Sequence, residues 1–359
     1  MLIVTTVFGG YSILAHKALS GSSTLHPLVF ALVRDSIGTL LLFFGLYFEA
    51  RAAAAKAVGA GEGGSSLPLV AATGDGAGAA PFLPVRSDIP QLMLCGFCGV
   101  WCSQAGSAMA LKNLDAVTMA IMQPLLPAVT AIGSIAAGYE VWKRGAPSTW
   151  LKVAGLATSI AGACFVAYVS SSGSASSANN VALGLLFVGI QVTGGGLYSI
   201  AQKPLLLAGH SPLFVATWGY AMGWCILVLC TVSGCTEAQN WAWTPSSAGA
   251  AVYSGVLSSA FCYYAMCVCV DLAGPLFMAA FFPFMPVATV VLNWVSGGGL
   301  PGLQEALGGL VVASGLALFV FGKAREEAEK RSAEGGLLLE EEGGVALLGK
   351  HQEGGAERQ

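Results

Sequence analysis

Phe8-Gly9-Gly10-Tyr11-Ser12-Ile13-Leu14-Ala15-His16-Lys17 lies in the first apolar stretch, and its glycine pair and lysine return at one constant offset as Gly195-Gly196 and Lys203. Each copy is followed by Pro-Leu and a new apolar run, at Pro27-Leu28 and at Pro212-Leu213. Two more pairs fall in the same order. Pro124-Leu125-Leu126-Pro127 matches Pro283-Phe284-Met285-Pro286, and Gly155 and Gly162 match Gly308 and Gly315. Self-similarity over such distances is the signature of a duplicated structural unit, and it changes how every other motif is read.

The unit is a membrane unit. Of the 359 residues 55% are hydrophobic and only 10% charged, whereas a soluble domain carries about 25% charge to cover its surface. A helix crosses the roughly 30 Å hydrocarbon layer with about 20 apolar residues. Such runs occur at 1 to 19, 27 to 48, 91 to 110, 115 to 138, 149 to 169, 181 to 200, 212 to 232, 247 to 269, 275 to 297 and 303 to 322. The chain therefore reads as an all-α integral membrane protein of about ten helices, with 1 to 169 and 181 to 322 as two five-helix repeats joined by a linker at 170 to 180. Five is odd, so the second repeat enters upside down relative to the first, the architecture with which transporters exchange two states. The segment at 50 to 90, rich in Ala, Gly and Pro, reads as a flexible loop, and 323 to 359 as a charged, largely disordered tail.

Lysine and arginine are sorted. Arg51, Lys56, Arg86, Lys143, Arg144, Lys152, Lys203, Lys323, Arg325, Lys330 and Arg331 fall on the side of the termini, against Lys17 and Lys112 on the other. The positive-inside rule then places both termini in the cytoplasm. No basic n-region or cleavage site precedes the first run, which reads as a retained span whose abrupt start predicts a few missing residues before it. Most of the ten cysteines fall inside apolar runs, where free Cys packs as a small hydrophobe. Cys95, Cys98 and Cys102 share a helical face, where a metal site would need His or further thiolates from other helices, so they read as packing residues.

Several fragments together resemble the plant nodulin-like (walls-are-thin-related) branch of the EamA-type drug/metabolite transporter superfamily. In the first half they are Gly10-Tyr11 with His16-Lys17-Ala18-Leu19, Arg34, Pro127-Ala128-Val129-Thr130, Glu140, and Lys152-Val153 before Gly155. In the second half they are Tyr253-Ser254-Gly255-Val256, Gly274-Pro275-Leu276-Phe277, Phe282-Pro283 and Gly322-Lys323. The chain departs from the pattern in carrying Gly297-Gly298-Gly299 where the family has a Glu, with Glu305 displaced, and Val33 where it has Tyr. The resemblance implies two inverted EamA-like repeats and transport of amino acids or auxin-like metabolites by alternating access, driven by protons.

The candidate site follows from polar residues at membrane depth. Arg34 and Asp35 lie about 10 Å along their helix from Pro27 at 1.5 Å per residue, and on insertion scales each would cost at least ~2.5 kcal/mol if unpaired. Being about 100° apart on the helix, they are expected to find separate partners: Arg34 an anionic group or a structural carboxylate, Asp35 a transported proton. Gln104, Gln123 and Gln191 offer uncharged hydrogen bonds to a solute. Pro124 and Pro283 remove backbone donors in mid-helix. Gly9-Gly10 and Gly194-Gly195-Gly196 either let backbones approach closely or mark bent, site-lining segments, with Gly195 and Tyr198 then facing the solute. Trp218, Trp224, Tyr263 and Tyr264 are further candidate walls. Glu140, beside Lys143 and Arg144, reads as a gating ion pair. Arg34 is the one clear cation at depth, too few for a phosphate-exchanging translocator, and the four histidines lie near loops or in the tail, so no catalytic set forms. A non-transporting receptor or scaffold remains the alternative. The expected partners are a small-molecule solute and the lipid bilayer, with a homodimer allowed, no nucleic acid and no cofactor.

Overall fold

The computed structural model describes residues 1–19, 25–59, 82–123, 125–139, 147–173, 178–279, 281–282, 284–297, 302–304, 306–315, 317–322, 324–326 and 328–329. Nine helical segments among them are long and apolar enough to span a bilayer: α1 (Leu2–Leu19), α2 (Pro27–Ala55), α3 (Ile89–Asn113), α4 (Ala116–Ala136), α6 (Val181–Leu207), α7 (Pro212–Gly234), α8 (Pro245–Ala273), α9 (Pro275–Val295) and α10 (Ala306–Glu326). Between α4 and α6 lies α5 (Pro147–Gly173), whose 27 residues complete a set of about ten. The chain is an all-α, multi-pass integral membrane protein. With no water in the hydrocarbon, helices satisfy every backbone group within the segment.

The termini of the helices follow from local chemistry. Asp115 caps α4 through the amides of Val117 and Thr118, Ser211 caps α7 through Phe214, and Thr244 with Ser247 forms a capping box ahead of Pro245 on α8. One residue, Gly274 at φ 85°, links α8 to α9, a left-handed turn for which glycine is suited. Two sequence expectations shift here. The second helix runs on to Gly59, so the first ten residues of the segment read as a loop are helical, as the strong helix former alanine at Ala52 to Ala55 favours. Helical structure also reaches Gly173 and resumes at Ala178, inside the expected linker.

Hydrogen bonds sort the connections into two sets. His16 meets the Leu111 carbonyl at 3.1 Å, Lys17 reaches Ser296 at 3.5 Å, and His26 N donates to Asn240 O at 3.0 Å, joining the α1–α2, α3–α4, α7–α8 and α9–α10 connections. Burial, and then the nearby Lys112, lower the pKa of His26, whose neutral ring accepts from Leu28 N. In the other set Asp88 pairs with His210 at 3.1 Å, Gln91 donates to Ala201 O, and Lys203 reaches Val270 O. This is the alternation into which the lysines and arginines are sorted.

Contacts between the halves come in matched pairs. A β-carbon on Gly9 of α1 would stand 2.9 Å from Thr289 Oγ1 of α9, and one on Gly196 of α6 would stand 2.7 Å from Val129 and 3.3 Å from Thr130 N of α4. Thr130 and Thr289 occupy matching places in the Pro-x-x-Pro helices, and each donates to the carbonyl one turn back at 2.9 Å. Gly96 of α3 lies on Gly223 of α7, as Gly38 of α2 lies on Ser259 of α8. Finally, Gly155 meets Gly315 while Gly162 meets Gly308, so α5 and α10 cross on their own small residues. The glycine pairs of α1 and α6 lie in continuous helical turns and allow close approach, and Gly195 also borders the cavity described below.

Candidate functional site

Among the described residues α6 is interrupted briefly at Gln202, near its end, whereas α4 and α9 break at matching places within their spans. The α-helix of α4 is interrupted at Gln123 between Ala116–Met122 and Leu125–Ala136, that of α9 around Phe281 and Phe282 between Pro275–Ala279 and Phe284–Val295. Pro124 and Pro283 themselves lie outside the described residues, as do Glu140, Lys143 and Arg144. Two other helices are wound as π-helix at corresponding positions, α3 over Phe97–Ala105 and α8 over Ser254–Phe261. Widened turns of this kind recur beside functional sites.

Between these irregular stretches lies a cavity of about 30 Å³. The first half lines it with Phe8, Tyr11 and Ser12 of α1, Ser103, Gln104 and Ser107 of α3, and Met119, Gln123 and Leu126 of α4. The second half contributes Gln191, Gly195 and Tyr198 of α6, Tyr263 and Met266 of α8, and Phe282 and Met285 of α9. These are corresponding helices of the two halves. Polar groups crowd the first half's wall, and aromatic and thioether groups the second's. Small-molecule pockets usually measure roughly 300–1,000 Å³, so the space is narrow for an organic solute in this conformation.

An amide pair narrows it. Gln123 Nε2 donates to Gln191 Oε1 at 3.0 Å while Gln191 Nε2 donates to Gln123 Oε1 at 3.2 Å, joining α4 to α6 across the halves. Opposite, Tyr263 Oη donates to Gly99 O at 2.6 Å, inside the π-helical stretch of α3. Tyr198 Oη meets Cys267 Sγ at 3.3 Å. Gln123→Leu should lower stability by about 1–3 kcal/mol, because Gln191 is then buried without its partner. The Gln123→Leu/Gln191→Leu double variant should regain much of that loss, as thermal unfolding in detergent would show; equal losses for single and double variants would argue against the pairing.

Behind the polar wall sits the charged pair, and here the sequence expectation is corrected. Arg34 and Asp35, both fully buried, do not seek separate partners: Nε donates to Asp35 Oδ1 at 2.7 Å and Nη2 to Oδ2 at 2.9 Å. The long arginine stem folds back along the helix, which overcomes the 100° between the two Cβ directions. Asp35 Oδ1 also accepts from Tyr220 of α7 and Ser259 of α8, each at 2.8 Å. Arg34 Nη1 donates to Tyr11 Oη at 2.7 Å, and its guanidinium lies 5.1 Å from that ring's centroid. Neither Arg34 nor Asp35 lines the cavity; Tyr11 stands between.

Of the other expected residues, Gln104, Gln123, Gln191, Gly195, Tyr198 and Tyr263 come together around the cavity. Trp218 and Trp224 do not, because their indoles donate to Phe82 O and Ser36 Oγ, and Tyr264 is 40% exposed. Among the described residues no group of three or more His, Cys, Asp or Glu could hold a metal ion. Sequence reasoning passed over Tyr11, Ser12, Ser103 and Ser107. A signal existed for the last two, since Ser103, Gln104 and Ser107 interrupt an apolar run at spacings one and four.

Fold and site thus define a multi-pass helical membrane protein with a small cavity, lined by both polar and apolar groups, between its two halves. The chain is similar to WAT1-related proteins of Arabidopsis thaliana, which the motif resemblance already pointed to. Three of them are 24%, 25% and 24% identical over 257, 235 and 258 residues, covering 66%, 61% and 66% of this chain and 69%, 62% and 69% of theirs. No protein-family model matches the chain. One solved crystal structure superposes over 89% of this chain and 96% of its own with a TM-score of 0.55 at 17% identity, a likeness of fold alone.

Proposed function

We propose that the protein is a transporter of small organic solutes, of the amino-acid or auxin-like class, working by alternating access between two inverted five-helix repeats. The observation that carries the reading is the Gln123–Gln191 amide pair, which joins α4 of the first half to α6 of the second across a small cavity lined by both halves. A solute that parts the two amides offers each a replacement hydrogen bond, so its entry exchanges contacts within the site rather than leaving buried groups bare. The matched glycine contacts and the breaks at matching places in α4 and α9 fit two halves that rock against each other, with the breaks as hinges. The sorted lysines and arginines argue for cytoplasmic termini; the family resemblance, not the charge pattern, suggests a proton gradient as the driving force and a plasma or vacuolar membrane as the location.

The test is flux. Proteoliposomes holding the full chain, given labelled amino acids, indole-3-acetate or nucleosides, should accumulate an amino acid or indole-3-acetate, faster with an inward proton gradient. No flux of any of them in a preparation shown to be folded would overturn the assignment in favour of a receptor or scaffold. Flux indifferent to the gradient would remove the proton coupling alone.

A further inference from the structure

Tyr11 and Ser107 face the cavity with their hydroxyls 3.2 Å apart. Arg34 Nη1 already donates to Tyr11 Oη. Two hydroxyls own two protons, and only one is used between them; whichever of the pair donates, one O–H is left for the cavity. That remaining donor stands next to a guanidinium, whose charge strengthens it toward an anionic acceptor. From this geometry, and resting on the solute-carrier reading above, we infer that the Tyr11–Ser107 pair receives the carboxylate of the solute and that Asp35 takes up a proton when it does.

The second half of the inference follows from charge. The ionisable groups around the Arg34–Asp35 pair are Tyr11 of α1, Tyr220 of α7 and Tyr263 of α8, while α3 presents uncharged Ser103, Gln104 and Ser107. The buried cluster is therefore neutral with Arg34 positive and Asp35 negative. A solute carboxylate arriving at Tyr11 adds one negative charge with no cation left over. Burying an unpaired charge at membrane depth is strongly unfavourable, and a proton restores neutrality. The two carboxylate oxygens of Asp35 are unequal: Oδ1 accepts from Arg34 Nε, Tyr220 and Ser259, whereas Oδ2 accepts from Arg34 Nη2. A solvent proton bonding to Oδ2 breaks the Nη2–H···Oδ2 hydrogen bond and frees an arginine donor. The charge of Arg34 then balances the solute in place of Asp35. Solute and proton enter as a neutral pair, and the arginine acts through Tyr11 rather than by direct contact.

Calorimetric titration of the purified full chain in detergent with indole-3-acetate and with its neutral analogue indole-3-acetamide, each in phosphate and in Tris, counts protons from the buffer dependence of the heat. Indole-3-acetate should bind with uptake of about one proton per molecule and the amide with none, by linkage between binding and protonation. Asp35→Asn should abolish the uptake. Tyr11→Phe should weaken indole-3-acetate at least ~10-fold and the amide less, since a hydrogen bond to a charged group is lost from one and not the other. Indole-3-acetate binding without proton uptake, or uptake that survives Asp35→Asn, would overturn the inference while leaving a solute site in place. If neither compound binds protein shown by thermal unfolding to be folded, this inference falls, while the carrier reading is decided separately by the amino-acid flux described above. Should Asp35→Asn not fold, the two-buffer comparison on the unaltered chain and Tyr11→Phe decide the matter.

Discussion

Arg34→Ala is expected to lower stability by about 3–5 kcal/mol, the loss typical of removing one partner of a buried ion pair. The physical cause is what remains. Asp35 keeps the hydroxyls of Tyr220 and Ser259 but loses both guanidinium bonds, leaving a carboxylate with 0% exposure and no cation. Replacing both partners with apolar residues, as in Arg34→Met/Asp35→Leu, should recover a large part of the loss, because no bare charge is then buried. Unfolding midpoints in detergent would show the order wild type, double variant, single variant. A single variant within about 0.5 kcal/mol of wild type would mean that the pair is hydrated and not buried as described.

Gly96→Leu carries the second large effect, at or above the upper end of the ~1–3 kcal/mol typical of overpacking. Its β-carbon alone would lie 2.3 Å from Gly223 N and 2.7 Å from Gly219 O, and a β-carbon on Gly223 would lie 2.4 Å from Gly96 O. These are backbone atoms, which cannot turn aside as a side chain does, so α3 and α7 must separate along their crossing. The same change at Gly189, where nothing lies within 4 Å of the added carbon, should alter stability by less than about 0.5 kcal/mol. Both variants swap glycine for leucine in a membrane helix, so only the neighbour differs. Equal unfolding midpoints for the two would contradict the crossing.

How much of this was legible in the residues differs by level. Apolar run length gives the helices because crossing the hydrocarbon is a one-dimensional constraint that each segment meets alone. The matched glycines and Pro-x-x-Pro elements announced the internal likeness and pointed to α4 and α9, whose helices break. Gln104, Gln123 and Gln191 were legible for the same reason: an uncharged hydrogen-bonding group in an apolar run must meet something polar. Arg34 was misread, since helical angle between Cβ atoms was taken for the reach of a side chain several bonds long. Nothing in the residues foretold the π-helical turns of α3 and α8.

By itself, then, the sequence determined that the chain crosses a membrane about ten times, that matching motifs recur in its two halves, and which polar groups fall at membrane depth, because hydropathy and repetition are properties of segments. Tertiary structure alone decided that Gln123 faces Gln191, that Arg34 turns back onto Asp35 and reaches the cavity only through Tyr11, and that corresponding helices of both halves share one small cavity. Those are facts of which helix lies against which, settled where a missing β-carbon at Gly9, Gly96 or Gly155 lets two backbones meet.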